Sequence, residues 1–192
     1  IFNSQQEMNF LRRRFKNLSE GAIVGVGINC PDNFDGNRFC KKYNLDKSYL
    51  LYIGRIDIGK GCEELFNYFL KFKKYHKTKI NLVLLGKPEM DIPQSEDIVS
   101  LGFVPEQDKF DALDASELLI VPSPYESLSM VTLEAFLTKT PVLTNGRSLV
   151  LKDQCIKSNG GLYYTSFAEF SESLKYFLDH SEISRKLGRQ GA

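Results

Sequence analysis

Short apolar runs that alternate with helical patterns constrain the fold of this chain more than any other feature of the sequence. The runs INLVLLG (80–86) and ELLIVPS (117–123) are almost continuously apolar, as expected for strands that helices cover on both faces. Residues 60–76 precede the first run and place their apolar side chains on one stripe at helical spacing. Strands that alternate with helices in this way favour parallel pairing. The sequence therefore predicts an α/β fold with a Rossmann-like open parallel sheet and helices on both faces.

The same patterns give the order of the elements. The predicted strands are 22–27, 49–54, 80–86, 97–102, 117–123, 141–144 and 161–165, and the predicted helices are 60–76, 106–115, 129–138 and 166–179. The segment 29–48 is charged and rich in glycine and asparagine, and we predict it to be the most flexible part of the chain. Because ligands of an open parallel sheet bind beyond the carboxyl ends of its strands, the turns that follow strands are the candidate sites.

Composition and charge argue against several classes of function. The chain has 192 residues and a formal net charge of +1, so no global positive field indicates a nucleic acid as partner. Its four cysteines contain no C-x-x-C pair, which disfavours a metal site. We interpret them as reduced thiols of a cytoplasmic protein. No apolar run approaches the length of a membrane span, about 18 residues.

The segment YIGRIDIGKG (52–61) is the first candidate site. A predicted strand ends at Gly54, and glycine lets a ligand approach the backbone closely. Arg55 and Lys60 stand at opposite ends of one short loop, where they can converge on one anion. The helix that follows adds free N–H groups and a positive dipole. A diphosphate fits this arrangement, and the alternative is an ordinary turn with two exposed basic residues.

The segment LGFVPEQD (101–108) is the second candidate and also follows a predicted strand. Phe103 and Val104 can form a flat apolar wall for a nucleotide base, and backbone groups there can read the edge of that base. The alternative is a buried turn, since most apolar positions of a chain belong to its core.

The segment YESLSMVTLEAF (125–136) is the third candidate, in which two glutamates bracket a predicted helix start. Glu126 lies in the loop and Glu134 about one and a half turns into the helix, with Ser129 or Ser127 as the cap. The free N–H groups of the first helical residues make a second anion site, and carboxylates accept hydrogen bonds from sugar hydroxyls. The alternative is one capping acid and one surface acid.

These motifs together resemble a known family. GRIDIGKG (54–61) resembles its Gly-Arg…Lys-Gly diphosphate loop, LGFVPEQDKFDAL (101–113) its base-binding turn and PSPYESLSMVTLEAF (122–136) its E-x7-E motif. PVLTNG (141–146) and LKDQCIKSNGGLYY (151–164) are similar to later segments. Over nearly its whole length the chain resembles the C-terminal, donor-binding domain of a retaining glycosyltransferase of the two-Rossmann (GT-B) type, in family four.

The resemblance implies a role for each candidate residue. The implied donor is a UDP- or GDP-linked sugar, bound with no metal and no further cofactor, whose hexosyl group is transferred with retention. Glu126, Arg55 and Lys60 are the implied catalytic residues: the glutamate holds the donor sugar, and the two cations neutralise the departing diphosphate. The implied donor-binding residues are Gly54, Arg55, Lys60, Phe103, Val104, Lys109, Leu128, Ser129, Met130 and Glu134. Within this set Glu134 binds the ribose.

One part of the motif departs from the family pattern. Most members have Gly-Phe-Gly between the two glutamates, where this chain has Ser127-Leu128-Ser129. Glycine is the residue that allows the closest approach of a ligand to the backbone. The departure therefore leaves the identity of the donor sugar open.

The resemblance also predicts the domain organisation. Residues 1–20 are similar to the end of an N-terminal domain and the interdomain segment, and residues 21–192 to the nucleotide-sugar-binding Rossmann-like domain. The family binds its acceptor, a saccharide, lipid or small molecule, mainly on the N-terminal domain. We therefore expect the 192-residue chain to be inactive alone, and the full-length protein to be capable of peripheral membrane association.

Other classes of protein share parts of this pattern. An epimerase or phosphorylase of similar architecture fits the same motifs, as does a non-catalytic module that binds a nucleotide sugar. A Rossmann dehydrogenase needs a glycine fingerprint that leads into a helix, whereas GVGINC (25–30) has Cys30 at the third glycine position and helix-breaking residues after it. His76 and His180 are predicted to lie at the surface, away from the strand ends.

Overall fold

A computed structural model of the protein describes residues 1–17, 19–46 and 48–192. The strands are β1 (Tyr49–Ile53), β2 (Asn81–Leu85), β3 (Ile98–Gly102), β4 (Leu118–Val121), β5 (Val142–Asn145) and β6 (Gly161–Tyr164). The helices are α1 (Gln5–Arg14), α2 (Gly36–Tyr43), α3 (Cys62–Tyr75), α4 (Glu106–Ala115), α5 (Met130–Leu137), α6 (Leu149–Ser158), α7 (Phe167–Asp179) and α8 (Ser181–Gly191).

In the described residues, all six strands pair in parallel in the order β3-β2-β1-β4-β5-β6. The chain builds the sheet outward from β1 to β3, returns to the centre, and builds outward again from β4 to β6. The direction reverses between β1 and β4, and this switch point is where open α/β sheets bind ligands. The predicted fold class is confirmed.

Apolar side chains of the central strands are buried on both faces of the sheet. Neighbours such as Leu50 and Leu51 are fully buried in two different core clusters. One cluster packs the sheet against α3 and α7, and the other packs it against α2, α4, α5 and α6. Because successive side chains of a strand point to opposite faces, burial on both faces explains why the runs are apolar without alternation.

The segment 29–48, predicted to be flexible, instead contains α2, which charged contacts hold against α4. Asp111 of α4 is fully buried and accepts hydrogen bonds from the Asp35 amide at 2.8 Å and from Arg38 at 2.5 and 2.7 Å. Asp108 accepts bonds from Lys42 at 2.6 Å and Tyr43 at 2.7 Å. The prediction was wrong because these charged residues are anchors of the α2–α4 contact and not signs of solvent exposure.

Burial and hydrogen bonding act in opposite directions on the two aspartates of the α2–α4 contact. Burial alone raises the pKa of Asp111, but the bonds from Arg38 and the Asp35 amide outweigh it and hold that pKa below the ordinary value. The pKa of Asp108 is lowered in the same way, since the bonds from Lys42 and Tyr43 outweigh its burial. Both carboxylates are therefore stabilised in their ionised form.

The predicted strand 22–27 does not form. Only Ile23 makes an isolated bridge, to Phe2, and the side chains of Val24 and Val26 are exposed. Gly25 and Gly27 leave the segment few side chains to pack, and Phe2 is its one bridge partner in the described residues. The sequence also left α6 unassigned, because its apolar residues follow no clear amphipathic stripe.

The N-terminal residues pack on the same domain. Helix α1 lies against α6, and the Ser4 hydroxyl donates a hydrogen bond to the Ser127 carbonyl at 2.9 Å. The division of the chain at residue 20 stays a prediction. Leu18 and Lys47, which belong to the predicted interdomain and flexible segments, lie outside the described residues. In the described part of the chain, no helix is long and apolar enough to cross a membrane.

Candidate functional site

A cleft of about 270 Å³ opens at the carboxyl ends of β1 and β4. Its walls come from the ends of these two strands, from Lys60, and from residues around the start of α5: Glu126, Leu128, Ser129, Met130 and Val131. The sequence placed its candidate segments at the turns after strands, and two of them, 52–61 and 125–136, meet here. We call this feature the strand-end cleft.

The first charged pair of the strand-end cleft joins its two walls. Lys60 Nζ lies 2.8 Å from Glu126 Oε1, although the residues are 66 positions apart in the chain. The Glu126 side chain is 14% exposed, and Lys60 is its one hydrogen-bond partner in the described residues. A carboxylate has two oxygens and about four acceptor positions, so Glu126 keeps acceptor capacity for a ligand.

Helix α5 starts in the wall of the strand-end cleft. Ser129 is its N-cap, and its hydroxyl accepts bonds from the Thr132 amide at 3.4 Å and the Thr132 hydroxyl at 2.8 Å. The amides of Met130 and Val131 are in the first turn, where a helix offers them no acceptor of its own. Both residues line the cleft. These amides and the helix dipole favour an anion at this position.

The second charged pair joins α4 to α5. Lys109 Nζ lies 2.8 Å from Glu134 Oε1 and 3.8 Å from Glu106 Oε1. The Glu134 side chain is 12% exposed. The family resemblance implied that Lys109 binds the donor, whereas here its ammonium group pairs with the second glutamate of the E-x7-E motif.

Arg55 lies at the entrance and does not line the strand-end cleft. Its side chain is 60% exposed and is 3.4 Å from the carboxylates of Asp57 and Glu89. The other Asp57 oxygen accepts the Lys60 amide at 2.8 Å, which fixes the turn that carries both cations. The sequence placed Arg55 and Lys60 on one anion, and in this structure only Lys60 faces the cleft.

The predicted base-binding turn has one exposed and one buried apolar residue. Phe103 is 89% exposed, and Val104 is buried in the core. The side chain of Val104 is therefore unavailable to a ligand in this conformation, and only its backbone can take part. Neither residue lines the strand-end cleft.

Gly61 allows the two walls to approach each other. It has φ +77° and caps α3 without a side chain, and a Cβ atom there would lie 2.3 Å from the Pro122 carbonyl oxygen. No other residue fits this combination of left-handed backbone and contact with the end of β4. Gly61 ends the predicted diphosphate loop GRIDIGKG, and the structure gives this packing reason for a glycine there.

A polar network that sequence reasoning missed supports the end of β4. Asn145 is fully buried, and its amide donates to the Pro122 carbonyl at 2.9 Å. Its side-chain oxygen accepts the Arg147 amide at 3.0 Å, and Arg147 pairs with Glu64 of α3. That ion pair raises the pKa of Arg147. The sequence contained a signal for this network, since Asn145 and Arg147 follow the predicted strand 141–144.

The remaining titratable candidates lie elsewhere. His76 is half-buried and lies 3.1 Å from the Ser171 hydroxyl, while His180 is exposed between α7 and α8. The four cysteines are free thiols, and burial raises the pKa of Cys155 to about 11. Among residues 1–17, 19–46 and 48–192, no three His, Cys, Asp or Glu side chains are grouped so that they could hold a metal ion.

The family model for glycosyl transferases group 1 matches residues 34–192. This chain belongs to the glycosyl transferases group 1 family. The match covers every segment of the strand-end cleft, including both glutamates of the E-x7-E motif. The family predicted from the motifs is therefore confirmed.

Known proteins resemble this group 1 chain in sequence or in fold. An uncharacterized glycosyltransferase of Methanocaldococcus jannaschii is 28% identical over 141 residues, which is 64% of this chain and 35% of that protein. Sucrose-phosphate synthase of Thermosynechococcus elongatus superposes with a TM-score of 0.82 at 22% identity, covering 99% of this chain and 51% of that one. HepE of Anabaena, in complex with UDP-glucose, gives 0.77 at 14% identity, with 99% and 56% covered.

The lengths of these proteins differ from that of this chain. The chain spans about a third of the curated relatives it matches and about half of the two structures. The structural likeness shows the fold, an open parallel α/β domain of the kind found at the C-terminal half of GT-B glycosyltransferases.

Proposed function

We propose that the group 1 chain is the donor-binding part of a retaining glycosyltransferase and binds a UDP- or GDP-linked sugar in the strand-end cleft. One observation carries the proposal. The start of α5 is flanked by Lys60–Glu126 on one side and Lys109–Glu134 on the other, each pair at 2.8 Å. Lys60–Glu126 thus supplies an anion-binding and a hydroxyl-binding group inside the strand-end cleft, and Glu134 supplies a further acceptor on α5, outside the lining of that cleft.

The diphosphate is assigned to the positive end of this arrangement. Free amides at the start of α5 and the Lys60 ammonium face the same space, and both interact more strongly with a negative charge there than in water. Arg55 reaches the phosphates after its exposed side chain leaves Asp57 and Glu89. This positive charge comes from the protein itself, so the proposal requires no metal.

The two glutamates take the hydroxyl groups of the donor. Glu134 accepts hydrogen bonds from the ribose, and Glu126 accepts them from the transferred hexosyl group. In each case the lysine occupies one carboxylate oxygen and leaves the other able to accept. Phe103 offers an exposed aromatic face to the base, and the backbone at Val104 offers polar groups to its edge.

The chemical step depends on stabilising the leaving group. As the glycosidic bond breaks, negative charge grows on the departing nucleoside diphosphate, and Lys60, Arg55 and the α5 amides stabilise that charge. The departing diphosphate then accepts the proton of the acceptor's hydroxyl group, whose oxygen bonds to the sugar on the same face, which gives retention. The acceptor, a saccharide, lipid or small molecule, binds mainly to a domain outside this chain, so we expect the 192-residue chain to bind donor without transferring it.

Calorimetric titration tests the proposal. The panel contains UDP, GDP and ADP with UDP-glucose, GDP-mannose and ADP-glucose, and it includes UDP-glucose because HepE of Anabaena is seen with that donor. We expect saturable binding, at millimolar concentration or below, of either UDP and UDP-glucose or GDP and GDP-mannose. A chain that is folded by circular dichroism and binds no member of the panel would contradict the proposed function.

A further inference from the structure

Provided that the proposed function holds, the entry of a ligand affects Glu126, which lines the strand-end cleft, differently from Glu134. Glu126 and Glu134 are both largely buried, and each has one lysine partner at 2.8 Å. The partner of Glu126 is Lys60, which lines the cleft. The partner of Glu134 is Lys109, which comes from α4 and does not line it.

An entering diphosphate competes with Glu126 for the same ammonium group. It carries more negative charge than one carboxylate and meets the amides at the start of α5 as well, so it attracts Lys60 Nζ away from Glu126. The phosphates also place further negative charge beside Glu126. A carboxylate that is 14% exposed cannot recover full hydration, and an ionised group left without a partner in such a place is unfavourable.

The kind of ligand determines whether Glu126 gains a new hydrogen-bond donor in place of Lys60. A free nucleoside diphosphate takes Lys60 and offers Glu126 no donor in return. A nucleotide sugar takes Lys60 and brings hydroxyl groups that donate to the freed carboxylate. Glu134 stays paired with Lys109 in both complexes, because the phosphates do not reach that pair and Glu106 gives Lys109 a second acidic neighbour at 3.8 Å.

We propose that Glu126 is a specificity-determining residue that competes for Lys60, so that the cleft favours the nucleotide sugar over the free nucleoside diphosphate. Lys109 is a positioning residue that holds Glu134 toward the ribose. The Lys60–Glu126 pair thus re-forms when the sugar has left, and it promotes release of the nucleotide product.

The substitution Glu126→Gln separates these effects. It leaves a side chain of similar shape that no longer holds Lys60 by charge. We expect the dissociation constant for the free nucleotide, UDP or GDP, to fall about two- to fivefold, in line with the energy of a partly exposed ion pair. The constant for the matching nucleotide sugar should stay equal or rise, so the preference for the sugar shrinks.

Glu106→Gln is the matched control, since it removes an equal charge beside Lys109 and leaves Lys60 untouched. We expect it to change the affinities for nucleotide and nucleotide sugar alike. If it tightens UDP as much as Glu126→Gln does, the effect is general electrostatics and the inference is overturned. If the wild-type chain binds a nucleotide and Glu126→Gln does not tighten it, the inference is also overturned, while the proposed function stands. If the wild type binds neither a free nucleotide nor a nucleotide sugar, the inference and the proposed function are both overturned.

A second measurement needs no variant. The side-chain nitrogens of lysine, labelled with ¹⁵N, report the surroundings of each ammonium group by NMR. On addition of UDP or GDP we expect the Lys60 resonance to move and the Lys109 resonance to stay. Equal shifts of the two lysine resonances, or a Lys60 resonance that does not move, would contradict the transfer of Lys60 from Glu126 to the diphosphate.

Discussion

The α2–α4 contact and the strand-end cleft both contain carboxylates paired with cations, yet they use them differently. Asp111 accepts bonds from Arg38, from the Asp35 amide and from Gln107. Glu126 accepts one bond, from Lys60. The first carboxylate has its acceptor positions filled by the fold, and the second has positions to spare. The number of partners, more than the presence of an ion pair, separates a structural acid from one available to a ligand.

The largest expected effect comes from disrupting the α2–α4 contact, in which the acceptor positions of Asp111 are filled. Asp111→Ala leaves the Asp35 amide and the Arg38 guanidinium without their acceptor and removes an anchor of α2. We expect the free energy of unfolding to fall by about 2–3 kcal/mol, measured by urea denaturation. Nucleotide affinity of the folded fraction should be unchanged. A loss below about 0.5 kcal/mol, the level of an ordinary surface substitution, would mean that the network does not hold α2.

Lys60→Met tests the strand-end cleft, in which Glu126 has acceptor positions to spare. Because Lys60 supplies the charge that faces the diphosphate, we expect nucleotide affinity to drop about tenfold, the effect of one charged hydrogen bond. Unfolding free energy should change by about 1 kcal/mol or less, since the Lys60–Glu126 pair is partly exposed. Calorimetry and denaturation measure the two quantities on the same sample.

Lys42→Met is the control for that substitution. Lys42 makes the same kind of pair, 2.6 Å from Asp108, but in the α2–α4 contact. We expect nucleotide affinity to be unaffected. An equal loss of affinity in both variants would show that general charge, and not the position of Lys60, determines binding.

The smallest expected effect is a pH dependence of the unfolding free energy that arises from the α2–α4 contact. The pKa values of Asp108 and Asp111 are lower in the folded protein than in the unfolded chain, where an aspartate titrates near 3.9. The stabilisation is therefore complete above about pH 4 and is lost as the pH falls through the folded-state values. Unfolding free energy measured between pH 7 and 3 should decline at the acid end, and Asp111→Asn should decline less. An equal decline in that variant would assign the effect to other groups.

The sheet and the motifs at its edge could be predicted from the sequence. Buried strands such as β2 and β4 appear as short apolar runs because their side chains are buried on both faces. The order of those runs places the loops after them at one edge, which is why Lys60 and the segment 125–136 were expected near each other. Local patterns and one rule about parallel sheets are sufficient for both predictions.

The partners of individual charges could not be predicted. Lys60–Glu126 and Lys109–Glu134 depend on which strands become neighbours, and separations of 66 and 25 residues leave no local signal. Helix α2 was missed for a related reason, because its one large buried side chain is Phe39 and its other anchors are charged. The segment 22–27 shows the opposite error, since its short apolar run suggested a strand, whereas Phe2 is its one bridge partner in the described residues.

The central claim, that the strand-end cleft binds the diphosphate of a nucleotide sugar, is tested most directly by NMR mapping of backbone amides during titration with UDP and GDP. We predict the largest shifts at Gly61, Ser129, Met130 and Val131, which surround the start of α5 and the loop before α3, while the amides of α2 stay in place. Shifts centred on the α2–α4 contact, or none at saturating nucleotide, would contradict it.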